Sequence, residues 1–527
     1  MKKSDRDAPI VSPVDFYPGS NGETPPEPPT RRQIEAYGQW QRIVEEKHKR
    51  LGMTRRQFAE SACGLAAALW VNQAACGGGP NPAGGGAGGS AGTSGSAGAT
   101  SAGGAGGSTD AGAAGASGSG GASGMDAAPD GNSTGGDGLS RDMMEDADLA
   151  RERLMGDEFV FDVHTHPPEM QLVQPWMAMR PDRLALDYIA KVFVQTDTAM
   201  AVMTGWPSAR GQNEVNVRAN AMLGEIVDRL GGDRYRFHAN AEPDLAGEPD
   251  YIQRLASQFE NIAAWKVYPA SSATTRLHQR TDFLERVRAT GIKIVAGHRG
   301  LSGNGGYSDP GSPEDMVRAA LLFPDIKFLV YHSAFESAAE EDHPYQDLGE
   351  QTKGVDRFVK AMLWAQQQNG GQPLRNVYAD LGTTWSRVMG SASTASHVVG
   401  KLLKYVGADK VLFGTDALNV GTPHATQIAA MRIFDTLPAH REPAIGYPAV
   451  TPELRRKIFG LNAAAVYGVD PQAIRYRISN DDVSKLRMAY REDPRSVPTL
   501  HPHFHRGPRT VREFFALRER QHRFGLG

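Results

Sequence analysis

The chain has 527 residues, with 57 Lys and Arg against 60 Asp and Glu and a formal net charge of −3. That balance excludes the clustered positive excess of a nucleic-acid-binding surface, and the length exceeds one ordinary domain. Only two cysteines occur, Cys63 and Cys76, which excludes a disulfide framework and a Cys-type zinc site from everything after residue 80.

In chain order, residues 1–53 are a polar, Pro-containing leader. TRRQF at 54–58 then precedes a largely apolar stretch from Ala59 to Ala75. A twin arginine ahead of a modest apolar segment predicts a Tat-type export signal over 54–76. The stretch is short for a membrane span of about 20 residues. QAAC at 73–76 puts small residues before Cys76, although Gln73 stands where such processing sites usually carry Leu. Cys76 is thus a candidate lipidation site, and its lipid is the one membrane contact expected of a periplasmic or cell-envelope protein. An amphipathic helix that merely contains Arg55 and Arg56 is the alternative. Residues 77–146 are dominated by Gly, Ala, Ser and Thr. They have nothing to bury that would offset their ordering entropy, so they are expected to be a disordered linker.

The globular body is expected over 147–474. Eight apolar runs appear: 159–163, 199–203, 235–241, 263–268, 292–297, 327–332, 377–381 and 411–416. Helical periodicity fills the gaps, as at 214–231, 251–262, 281–291 and 356–368. Near-continuous apolar strands alternating with amphipathic helices imply a parallel sheet covered by helices. Eight such units match a TIM-like (β/α)8 barrel. A doubly wound open sheet is the alternative, but no GxGxxG follows the first run. Residues 475–527 form a C-terminal tail. Its segment TVREFFALRERQHRFG predicts an amphipathic helix packed on the barrel or on a second copy in a homodimer. The HPHFH cluster at 501–505 is expected to be structural or solvated.

Barrel active sites lie at the C-terminal ends of the strands. His164 and His166 close the first run, His298 the fifth, His332 the sixth and Asp416 the eighth. Residues i and i+2 on a strand point to one face, so His164 and His166 can aim two imidazoles at one point, with Thr165 turned away. Neutral imidazole nitrogen suits zinc. A third nitrogen from His298 and an oxygen from Asp416 would complete a first shell with room for water.

These residues carry a resemblance. DVHTHPP at 162–168, WKVYP at 265–269, GHRG at 297–300, YHSAF at 331–335 and FGTDA at 413–417 resemble the amidohydrolase superfamily. The branch they look most like holds amidohydrolase-related hydrolases and the aminocarboxymuconate semialdehyde decarboxylase type. IFGLNAAAVYGVD at 458–470 is similar to that family's last helix. GHRG and the long insert 336–355 depart mildly from the pattern. The resemblance implies that His164, His166, His298 and Asp416 bind one divalent metal, zinc by preference. It makes Asp416 the general base and lets His332 orient water or polarise a substrate oxygen. Lys266 is expected to pair with the acidic site or a substrate carboxylate rather than to be carboxylated. Arg299, Trp206 and Trp385 are further candidate substrate contacts. The implied function is metal-dependent hydrolysis of an ester, lactone or amide-type bond in a small molecule. Non-oxidative decarboxylation of an unsaturated or aromatic acid uses the same residues and stays open. A surface lipoprotein that binds a ligand without turnover is the third reading.

Overall fold

Eight of the apolar runs become strands: β1 Phe161–Thr165, β2 Met200–Thr204, β3 Tyr235–Ala241, β4 Ile262–Val267, β5 Ile294–His298, β6 Lys327–Tyr331, β7 Val377–Asp380 and β8 Val411–Leu412. They lie in one sheet in chain order, each parallel to the next. The first and last meet: Val163 N donates to Phe413 O at 3.0 Å, and Thr165 bridges Ala417 in parallel. This computed structural model is therefore a (β/α)8 barrel. It describes residues 10, 12–14, 16, 17, 28–76, 141–166, 181–205, 213–268, 276–301, 309–418, 422–493 and 512. The chain divides into residues 1–78 with 134–527 and a second unit, 79–133. The second unit lies outside the described residues, as do Trp206 and the 501–505 cluster.

Phe161, Val163, Val202, Ala264, Ala296 and Leu329 fill the barrel interior. A larger apolar layer, including Phe237, Trp265 and Phe328, lies between strands and helices. Near-total burial of both faces is what near-continuous apolar runs require. Helix ends follow local chemistry. Thr281–Thr290 stops at Gly291, whose φ of 79° is a left-handed C-cap that glycine adopts without steric cost.

Element limits differ from the sequence pattern in three informative places. The eighth strand is only two residues long, because the chain after Leu412 turns onto β1 and reaches Asp416 with φ 55°. Within the predicted linker, Arg141–Met144 form a helical turn and Asp146 caps a helix by accepting from Asp148 N and Leu149 N. The helix Pro471–Ile478 runs across the expected 474/475 boundary.

The described leader residues hold three helices. α1 Arg31–Arg50, α2 Arg55–Glu60 and α3 Ala62–Cys76 are followed, beyond the linker, by α4 Ala147–Leu154. No described helix is long and apolar enough to cross a membrane.

The helix Glu248–Gln258 offers a test of burial energetics. Glu248 is buried and its Oε1 accepts from Glu242 N at 2.7 Å. Burial pushes its carboxyl from 4.5 up to about 7, against the pull of that backbone bond. Between those values the native chain holds a proton that the unfolded chain has lost, so stability falls as pH rises through the window. The loss is expected to be on the order of 3 kcal/mol from pH 4.5 to 7. Glu248→Gln should flatten that slope in urea midpoints measured at pH 5 and pH 7. An unchanged slope in the variant would rule out Glu248 as its source.

Candidate active site

β1 delivers the two histidines at a place where its pairing with β2 slips between Asp162 and Thr165. Such irregularities re-aim side chains beside sites. Thr165 turns outward, its Oγ1 2.7 Å from Tyr188 Oη and 3.0 Å from Val202 O. His164 and His166 converge, with their Nε2 atoms 3.3 Å apart. Asp416 Oδ1 lies 2.9 Å from His166 Nε2 and 3.4 Å from His164 Nε2. All three residues are buried.

Backbone and buried acids hold this group. Asp416 N donates to His164 O at 2.7 Å, and the Thr383 hydroxyl donates to Asp416 Oδ2. Below the pair, Asp162 Oδ1 accepts from His164 N at 2.9 Å and from Thr415 N at 3.2 Å, tying β1 to the turn after β8. His424 Nε2 lies 2.9 Å from Asp162 Oδ2. His424 is thus packed beneath the site. Asp416 and His332 both have left-handed backbone, with φ 55° and 57°. Such conformations in non-glycine residues persist only where the surroundings enforce them, and they gather at active sites.

Asp380, at the end of β7, is the acid that sequence reasoning missed. Its Oδ2 lies 2.7 Å from His164 Nδ1 and also accepts from His332 N at 3.3 Å. The signal was present: VYAD ends in an acid as the Asp416 run does. Two glycines make its space. A Cβ on Gly414 would meet Asp380 Oδ1 at 2.0 Å, and one on Gly382 (φ 43°) would meet His164 Nδ1 and His332 Nδ1, each at 2.8 Å.

Hydrogen bonding assigns the tautomers. His164 Nδ1–H donates to Asp380, which leaves a lone pair on Nε2 facing Asp416. Thr383 N donates to His332 Nδ1 at 3.2 Å, so His332 carries its proton on Nε2, 3.2 Å from His298 Nδ1. Burial holds His164 well below its ordinary value, against the pull of Asp416. Burial and the Lys266 ammonium lower His298 to about 3. Both imidazoles are therefore neutral near pH 7. Burial opposes ionisation of Asp416, yet His164, His166 and the Thr383 hydroxyl hold its carboxyl below the ordinary carboxylate range.

Among the described residues, two donor sets are close enough for one cation: His164, His166 and Asp416, and His164, His332 and Asp380, each with ligand atoms within 4.8 Å of one another. Asp380's bond to His164 Nδ1 has the form of the outer carboxylate that orients a ligating histidine. The first set, two imidazole nitrogens with one carboxylate oxygen, is the candidate that suits a divalent cation such as zinc. His298 belongs to neither set. It stands one step back, its ring edge-on to His332 at 4.6 Å between centroids.

The remaining predicted residues fall in different places. Lys266 is buried, with its Nζ 3.4 Å from the Tyr331 ring centroid and 4.8 Å from that of Tyr268. The Tyr331 ring packs on His164 at 3.8 Å, so the ammonium, this ring and the imidazole lie in contact. Trp385 is buried, donates its indole N–H to Gln427 O at 2.9 Å and packs on Phe434. It is a core residue. Cys76 ends α3, and its side chain is outside what is described.

Arg299 is corrected by its surroundings. It is buried, its guanidinium grips Asp315 through Nε (3.1 Å) and Nη2 (2.8 Å), and its Nη1 donates to His298 O at 2.7 Å. It positions the His298 backbone instead of facing substrate. Arg299→Ala would leave Asp315 buried without its cation and should cost about 3–5 kcal/mol, read as a lower denaturation midpoint. A variant with unchanged stability and a raised KM would restore the substrate-contact role.

A family model described as amidohydrolase matches residues 161–469. No curated protein matches the chain in sequence. Among solved structures, 5-carboxyvanillate decarboxylase LigW from Sphingomonas paucimobilis is 14% identical, covering 60% of this chain and 100% of that one, with a TM-score of 0.34. An amidohydrolase from Burkholderia multivorans with bound zinc is 14% identical over 59% of this chain and 100% of its own, TM-score 0.39. 2,6-Dihydroxybenzoate decarboxylase from Rhizobium is 16% identical over 60% and 99%, TM-score 0.35.

Proposed function

The chain belongs to the amidohydrolase family, and from that premise we propose that it is a metal-dependent hydrolase of an ester, lactone or amide-type bond in a small molecule. One observation carries this reading: His164 Nε2, His166 Nε2 and Asp416 Oδ1 converge, buried, where β1 meets the turn after β8. His164, His166 and Asp416 would hold the cation, zinc by preference. A divalent cation seated there supplies Lewis acidity, which makes water nucleophilic near neutral pH.

The chain's own groups do the rest. Asp416 is ionised and takes a proton from the attacking water through a carboxylate oxygen, then returns it to the leaving group. Thr383 keeps that carboxylate aimed by donating to its other oxygen. His332, protonated on Nε2, is a donor that can steady a substrate oxygen. Asp380 keeps the His164 lone pair facing the site.

The buried Lys266 ammonium favours an anionic substrate, and it supports decarboxylation of an unsaturated or aromatic acid as the second reading. The deciding experiment measures metal content by mass spectrometry, then assays the loaded protein on cyclic esters, lactones and aromatic acids for hydrolysis product and for CO2. Hydrolysis without CO2 release supports the first reading, and CO2 release replaces it with the second. A protein that takes up no metal and turns over neither class overturns both.

A further inference from the structure

The apolar part of the predicted export stretch is covered by the rest of the protein. Phe58, Ala59, Cys63, Ala66, Leu69 and Val71 are at most 1% exposed and belong to the same apolar cluster as Met143, Met144, Ala150 and Leu154 beyond the linker. α3 packs against α1, against the turn Arg141–Met144, against α4 and against the barrel helix Ala392–Lys401. A helix that is apolar all round must be covered on all sides or inserted in lipid. At 15 residues, α3 is about 22 Å long, short of the roughly 30 Å hydrocarbon core.

Polar contacts add register to this packing. Glu145 pairs with Lys47 and, at 3.1 Å, with Arg50. A Cβ on Gly390 would meet Asn72 Nδ2 at 2.6 Å, so the glycine admits the leader against the loop after Val388. Thr426 Oγ1 donates to Pro13 O at 2.5 Å. The twin arginines are engaged as well, Arg55 with Glu45 at 2.6 Å and Arg56 with Glu60 at 2.9 Å.

We infer that the described leader residues up to Cys76 are a resident arm of the folded protein, docked through α3 onto the face made by residues 141–154 and the helix Ala392–Lys401, with Pro13 on the helix His424–Ile433. The occupant of that face is this chain's own leader. The arm also reaches toward the site. Thr426 sits in the helix begun by His424, and His424 lies against Asp162, the acid that accepts from His164 N. While docked, the apolar run that follows TRRQF is covered, with Phe58 buried, and Arg55 and Arg56 pair with glutamates of the arm itself.

The test uses the full chain with a protease site inserted within 79–133 and cut after folding. Size-exclusion chromatography in native buffer, with and without 1 M salt, is followed by mass spectrometry of each fraction. The arm and body should co-elute in both buffers and separate only in denaturant. Leu69→Glu, which forces a carboxylate into the docking face, should release the arm from the cut protein. Separation of the wild-type arm in native buffer overturns docking. Co-elution of the Leu69→Glu arm as tight as wild type overturns α3 as the docking element. Metal content plays no part in this readout, so its outcome is independent of the proposed chemistry.

Discussion

Asp416→Asn is expected to lower turnover by on the order of 10³-fold, within the range that a positioned acid or base contributes, while leaving the fold intact. The carboxylate stands 2.9 Å from His166 Nε2 and 3.4 Å from His164 Nε2, so under the proposed chemistry it would serve both the cation and the proton. An amide has neither the charge nor the basicity for either task. The fold should survive for two reasons. Asparagine tolerates the left-handed backbone that Asp416 adopts at φ 55° better than most residues, and its carbonyl oxygen can still accept from Thr383. The measurement is kcat on any substrate the wild type hydrolyses, beside the melting temperature and metal content. A variant that keeps more than a tenth of the rate would remove Asp416 from the chemistry.

Asp380→Asn should weaken metal binding about 10–100-fold, the usual cost of losing an outer carboxylate. The amide oxygen can keep both bonds made by Oδ2, to His164 Nδ1 at 2.7 Å and from His332 N at 3.3 Å. Burial pushes the Asp380 carboxyl well above its ordinary range, and what disappears is the charge it would carry behind His164 beside a bound cation. The substitution therefore separates charge from geometry. Chelator competition gives the affinity, and the visible spectrum of the cobalt-substituted protein reports the ligand field. A merely structural role would lower the melting temperature and leave that spectrum unmoved. Unchanged affinity and spectrum together would make Asp380 a bystander.

Much of the architecture was legible in residue order, because burial is written locally. Near-continuous apolar runs such as FVFDV and KFLVY can only be strands covered on both faces, and Gly291 marks a helix end in its own segment. The same logic placed His164, His166, His298, His332 and Asp416 at run ends, hence at one rim. What residue order could not decide was which rim groups touch. Asp380 lies 216 positions from His164, and only the closing of β1 onto the turn after β8 brings β7's acid behind that ring. Arg299 read as a free cation until Asp315, 16 positions on, occupied its fork. His298, a candidate ligand, has its Nδ1 3.2 Å from His332 Nε2, a neighbour that its own segment does not name. The apolar run after TRRQF has the same letters whether it enters lipid or is buried as a helix against the protein. Local pattern records a segment's need for cover, and only the assembled packing says what covers it.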